Sequence, residues 1–244
     1  MLWLIYHNKP VPVSKVILLQ KLSKTENAVF TDFQRIVTTG KSLRNAFLGS
    51  RLSDIKLGTW SLASDTLNLL EQQIHILKPR FILEFGSGFS TPCLARYMQE
   101  LHGDSSWYVL SIEQDFSFMQ KTLELVEELQ LGKCVQVVHC PLRRQVIGGV
   151  RTTCYDLSHS VRATLAEKRP DVAVIDGPSG KPGVRFGTLP LVLHFLSPGA
   201  WFFLDDALRD AELEIAQRWS RFSNVRIDGI YLIGKGLLVG QVLV

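Results

Sequence analysis

From residue 80 onward, short runs of consecutive apolar residues alternate with longer segments whose apolar positions recur every three or four residues. The runs at 80–85, 107–112, 135–138, 171–175 and 200–204 are apolar almost throughout, as expected of parallel strands covered on both faces. Residues 90–101, 116–131, 158–168, 189–196 and 210–222 carry the helical period. Strand and helix in strict alternation predict an α/β fold with a doubly wound, mostly parallel sheet. The last two runs, 225–233 and 237–243, are joined only by Gly234-Lys235-Gly236. That link is too short for a parallel crossover, so an antiparallel C-terminal hairpin is predicted. Residues 60–77 predict a helix feeding the first strand, and 143–153, rich in Arg and Gly, read as a polar loop. Patterning before residue 60 is weak, with an amphipathic helix at 13–22. The chain therefore divides into a helical extension, 1–59, and a main domain, 60–244.

Composition narrows the partners. A net charge of +4 over 244 residues, with no basic stripe interleaved with aromatics, argues against nucleic acid. Cys93, Cys134, Cys140 and Cys154 are scattered without C-x-x-C spacing, so reduced thiols are expected rather than a disulfide framework or zinc site. The apolar start, residues 1–6, is too short to span a bilayer and lacks a basic n-region, so a cytoplasmic, membrane-free protein is expected. Thr38-Thr39-Gly40-Lys41-Ser42 mimics the end of a phosphate-binding loop but lacks its earlier glycine, position 35 being Arg.

The chemistry is concentrated where strands end. Glu84-Phe85-Gly86-Ser87-Gly88-Phe89-Ser90 places a two-glycine turn between the first strand and a helix, the local form of a nucleotide cradle. A dinucleotide fingerprint needs a third glycine where Thr91 stands. Ligands of open α/β sheets lie beyond the carboxyl ends of the strands, which gathers Glu84 to Ser90, Glu113, Asp176-Gly177-Pro178 and Asp205-Asp206 around one crevice. Glu113 can accept from both hydroxyls of a diol. Asp176 can act as general base, hold a substrate, or bind a metal. Asp205-Asp206 can join it, or can cap the following helix. Arg185 and Arg209 can clamp an anionic group or pair with these acids. Trp60 belongs either to the cofactor mouth or to the core.

These motifs, in this order, resemble those of the class I S-adenosylmethionine (SAM) methyltransferases, with distant similarity to the catechol O-methyltransferase type. The resemblance covers residues 60 to 244. It implies a seven-stranded Rossmann-like sheet whose last strand is inserted antiparallel beside the sixth. It implies that Gly86, Ser87, Gly88 and Ser90 lie under the methionine part of the cofactor, that Glu84 holds its ammonium, and that Glu113 holds the ribose hydroxyls. Asp176 would lie beside the transferred methyl as the catalytic acid–base group. Asp176, Asp205 and Asp206 would hold Mg2+ or another divalent cation. The family has Asp then Asn at the fifth strand; this chain has Asp then Asp, which keeps hard oxygen ligands and adds a negative charge. The implied activity is methyl transfer from SAM to a small molecule. A hydroxyl oxygen is the preferred acceptor, since the Asn/Asp-Pro-Pro-Tyr or Phe motif of nitrogen-methylating relatives is missing. The competing readings are an NAD(P)-dependent oxidoreductase, which should show a third glycine and a Tyr-x-x-x-Lys pair, and a non-catalytic binding or assembly protein. A homodimer is left open.

Overall fold

The computed structural model describes residues 62–103 and 105–243 and, ahead of them, two short paired strands, β1 (Leu4–Tyr6) and β2 (Lys9–Val11). The helix expected at 13–22, the Thr38–Ser42 segment and Trp60 lie outside the described residues.

The main domain follows the alternation read from the pattern. Helix α1 (Ser64–Leu77) leads to β3 (Phe81–Phe85), α2 (Ser90–His102), β4 (Tyr108–Glu113), α3 (Phe116–Glu128) and β5 (Val135–His139). A hairpin of β6 (Leu142–Ile147) and β7 (Val150–Tyr155) follows, then α4 (His159–Lys168) and β8 (Val172–Ile175). A 3₁₀ turn (Val184–Gly187), α5 (Thr188–Val192), β9 (Trp201–Leu204), α6 (Asp210–Trp219), β10 (Val225–Tyr231) and β11 (Leu237–Val242) complete it. The seven-stranded sheet has the order β10-β11-β9-β8-β3-β4-β5. Strands β5, β4, β3, β8 and β9 run parallel, while β11 is antiparallel to both neighbours, β9 and β10. The fold is thus the doubly wound, mostly parallel sheet with an antiparallel C-terminal pair.

Side-chain alternation along β3 sorts the core into two layers. Phe81, Leu83 and Phe85 join residues from α4, α5 and α6 on one face. Ile82 joins residues from α1, α2 and α3 on the other. Period two therefore puts Glu84 on the face of Ile82, under α2, and not at the open end of the strand. This parity decides what Glu84 can do.

Two local readings are corrected. Residues 143–153 form most of a regular antiparallel hairpin rather than a loop. Its two-residue turn, Gly148-Gly149, has both φ values positive (56° and 78°), the geometry that matches strand twist in a tight hairpin. The helix before β3 begins at Ser64, with Leu62 and Ala63 outside it.

Candidate active site

The chain reverses direction across the sheet between β3 and β8, and the ends of β3, β4, β8 and β9 open there into one cleft of about 820 Å³. Two of its turns are pressed together. The N–H of Gly177 donates to Phe85 O at 2.7 Å, and a Cβ on Gly86 (φ 89°) would come within 2.9 Å of Gly177 N. Gly86 is therefore required by the approach of two backbones. Gly88 differs: a Cβ there would meet nothing within 4 Å, so the space in front of that turn is open to a ligand.

Glu113 ends β4 and faces this turn. Its Oε2 accepts from the Ser87 N–H (2.8 Å) and hydroxyl (3.1 Å), and its Oε1 from the Gln114 and Asp115 N–H groups (2.7 and 2.9 Å). Four donors hold one carboxylate at the cleft wall, and a ribose diol can share or replace the Ser87 hydroxyl. Asp115 caps α3 by accepting from the Phe118 N–H, and the Phe118 ring lies at the same end of the cleft.

Glu84 departs from its expected role. Fully buried, it accepts through Oε2 from Thr91 Oγ1 and Ser111 Oγ, both at 2.6 Å, and it does not line the cleft. Ser111 is its cross-strand partner on β4, on the same face. Thr91, standing where a dinucleotide fingerprint has glycine, thus ties α2 to the sheet. Burial raises the Glu84 pKa above the ordinary carboxylate range. Ser90 is buried as well, at the start of α2, so both residues lie behind the turn.

At the other end, Asp176, Asp205 and Asp206 each bring one oxygen within 4.8 Å of the others. The cluster is not left to itself. Arg185, from the 3₁₀ turn, donates through NH2 to Asp176 Oδ1 (3.1 Å) and through NH1 to Asp206 Oδ2 (3.1 Å) and the Asp205 carbonyl (3.1 Å). Its side chain is only 7% exposed. Arg209 reaches Asp206 Oδ2 at 2.8 Å, and Lys235 lies 3.6 Å from Asp206 Oδ1. Burial first, and the neighbouring Asp205 next, push Asp176 up to about 8; burial and Asp206 push Asp205 up to about 6. Neither acid of the pair caps α6: Arg209 holds the N-cap position, and Asp206 turns the chain with φ 61°. A divalent ion does not fit this cluster as it stands, because three cationic side chains already meet two of its three carboxylates, Asp176 and Asp206, and the buried Arg185 guanidinium bridges that pair.

Three participants were not foreseen. Lys235 lies in the short link between β10 and β11. Packing of that link on residues 207–208, through Ala207 N to Gly236 O (2.9 Å) and Leu208 N to Lys235 O (3.2 Å), carries it to the cleft. Gln114 lines the cleft and donates to Ser179 O and Oγ, both at 3.1 Å. Tyr155 ends β7 in the unrecognised hairpin. Its ring packs on Phe85 with centroids 5.3 Å apart, and its hydroxyl meets the Cα side of Gly177, buried and without a hydrogen-bond partner. A Gly-Gly pair flanked by alternating residues was the signal available for it. His139, by contrast, bonds to Gln114 O and does not line the cleft.

All four cysteines are free, and no helix among the described residues is long and apolar enough to cross a membrane. No family model and no curated protein matches the sequence. Solved structures do match. A methyltransferase from Geobacter sulfurreducens is 17% identical, over 96% of this chain and 98% of that one, with a TM-score of 0.55. The O-methyltransferase TomG from Streptomyces achromogenes, in complex with SAM, is 16% identical over 95% and 96%, with a TM-score of 0.56. An O-methyltransferase from Bacillus cereus, in complex with S-adenosylhomocysteine (SAH), is 15% identical over 93% and 97%, with a TM-score of 0.55. Strand order, the inserted antiparallel strand and these similarities agree: the chain has the Rossmann-like fold of the class I SAM-dependent methyltransferases.

Proposed function

We propose that this protein transfers a methyl group from SAM to a hydroxyl oxygen of a small molecule. The observation that carries the reading is the pairing of Glu113, a carboxylate at the end of β4, with the open turn at Ser87-Gly88, in a cleft large enough for a nucleoside cofactor and an acceptor together. SAM, when bound, supplies an electrophilic methyl on a sulfonium. Glu113 would take the ribose hydroxyls, Phe118 would offer a ring face to the adenine, and the backbone at 86–88 would lie along the methionine part. Asp176 would receive the proton released by the acceptor hydroxyl. Its raised pKa makes it a stronger base than an ordinary aspartate and brings it near the operating pH. The cleft walls align the reactants and keep water away, which is most of what an in-line displacement requires.

Isothermal titration tests the reading directly. SAM and SAH should bind and NAD should not; binding of NAD alone would favour an oxidoreductase, and binding of none a non-catalytic protein. Glu113→Gln should weaken SAH by at least about 10-fold, since an amide NH2 cannot accept and each hydrogen bond to a charged group is worth about 1.5–3 kcal/mol. An unchanged SAH affinity would remove Glu113 from the site.

Tyr155 gives an independent check. An unsatisfied buried hydroxyl costs about 1–3 kcal/mol, so Tyr155→Phe should unfold at or above the wild-type Tm in calorimetry. If the hydroxyl contacts the reactants, turnover should fall about 10-fold, equivalent to roughly 1.4 kcal/mol of barrier. Unchanged turnover would make Tyr155 a packing residue only.

A further inference from the structure

The acid cluster carries one inference that deepens the proposed function by specifying how its acceptor end is charged. We infer that Arg185 supplies, from within the chain, the positive charge that a divalent cation would otherwise bring to Asp176, Asp205 and Asp206, so that this site takes no metal.

Three features support it. The first is position. The guanidinium bridges Asp176 Oδ1 and Asp206 Oδ2 and is fixed by the Asp205 carbonyl, with all three contacts at 3.1 Å. It therefore stands among the oxygens that would be the ligands. The second is permanence. A guanidinium stays charged at any relevant pH and holds carboxylates through a rigid fork. A divalent ion would have to enter beside it in a buried setting, against like-charge repulsion.

The third feature is anchorage. Arg185 belongs to a 3₁₀ turn whose neighbours are pinned on both sides. The Phe186 carbonyl accepts from Trp219 Nε1 at 3.0 Å, and the Phe186 ring lies under the Arg218 guanidinium, 3.5 Å from its centroid. A Cβ on Gly187 would strike Thr152 and Cys154 of β7, so the turn is pressed against the hairpin as well. The backbone of Arg185 is therefore fixed, and its side chain leaves the cluster only by giving up its contacts with Asp176, Asp206 and the Asp205 carbonyl. The contacts converge on one acid: Arg185, Arg209 and Lys235 all reach Asp206, and Arg185 also holds Asp176, while Asp205 meets Arg185 only through its backbone carbonyl.

The test is metal binding, read separately from activity. Wild-type protein is titrated with Mn2+ and the free ion is followed by its paramagnetic resonance signal, with Mg2+ calorimetry in parallel. Neither ion should bind at this cluster. Arg185→Met, which leaves three carboxylates without their buried cation, should gain one equivalent of Mn2+, and adding Asp205→Asn should lose it again. One equivalent bound by the wild type and abolished by Asp206→Asn would overturn the inference. Should Arg185→Met not fold, Arg185→Lys is measured instead. A lysine keeps the charge and should bind no Mn2+, and uptake of one equivalent abolished by Asp206→Asn would overturn the inference here also. SAH titration of the same samples separates the two readings: a protein that binds neither SAH nor Mn2+ fails the methyltransferase assignment and leaves this inference standing.

Discussion

Asp176→Asn is expected to lower methyl transfer by about 10²–10⁴-fold, the range for losing a positioned general base. It is also expected to remove a pH dependence. In the wild type, kcat/KM should climb as pH rises through about 8, because burial and Asp205 hold the Asp176 proton on to about that value and only the ionised form can accept another. Stability should move the other way. The carboxyl has a folded-state pKa raised above its ordinary 3.8, so the folded chain binds the proton more tightly than the unfolded one. The resulting stabilisation is complete below the ordinary carboxylate range and lost as pH rises through about 8. Asp205, raised to about 6, adds to the lower part of that window. Calorimetric Tm values should therefore decline from about pH 5 to about pH 9 in the wild type, and decline less in Asp176→Asn. A variant retaining turnover and its pH limb would show that Asp176 is not the base.

Gly177→Ala should produce a large loss of stability. The added methyl would overlap the Tyr155 hydroxyl and come within 2.9 Å of both Cα and N of Gly86. A side-chain end can yield; two backbone atoms in the turn after β3 cannot. Overpacking of this kind costs about 3 kcal/mol at its upper range, or roughly 6–12 °C in Tm for a domain of this size. SAH binding should fall with it, since the displaced element is the turn that carries Ser87 and Gly88. Combining it with Tyr155→Phe should restore only part of the loss, because the hydroxyl overlap is relieved and the contact with Gly86 is not. Full recovery in the double variant would mean that the two turns are not in firm contact.

The sheet was legible because buried parallel strands write themselves as apolar runs, and because a three-residue link between the last two runs left no alternative to an antiparallel pair. The hairpin at β6–β7 was hidden by its composition. Arg143, Arg144 and Arg151 are all exposed, and Arg143 and Arg144 point to opposite faces of β6, so no apolar–polar alternation marks the strand. Of the site, the strand-end acids were found because topology alone sends them to one crevice. Glu84 lies behind the turn because a one-residue step along a strand exchanges faces, and motif spacing carries no parity. Lys235 and Tyr155 had no local signal of their role. Each is brought in by contacts between segments far apart in sequence, which only the folded chain displays.

The link at Gly234-Lys235-Gly236 has a consequence for how the cleft is completed during synthesis. Lys235 is the last of the three cations to leave the ribosome, and its neighbour Gly234 donates to Asp65 at the start of α1 at 2.8 Å. Without that loop the pocket would be short of one counter-charge, and without β11 the edge of β9 would be bare. The Gly234–Gly236 link and β11 thus close both the sheet and the electrostatic balance of the pocket, and the link does so by reaching back to α1.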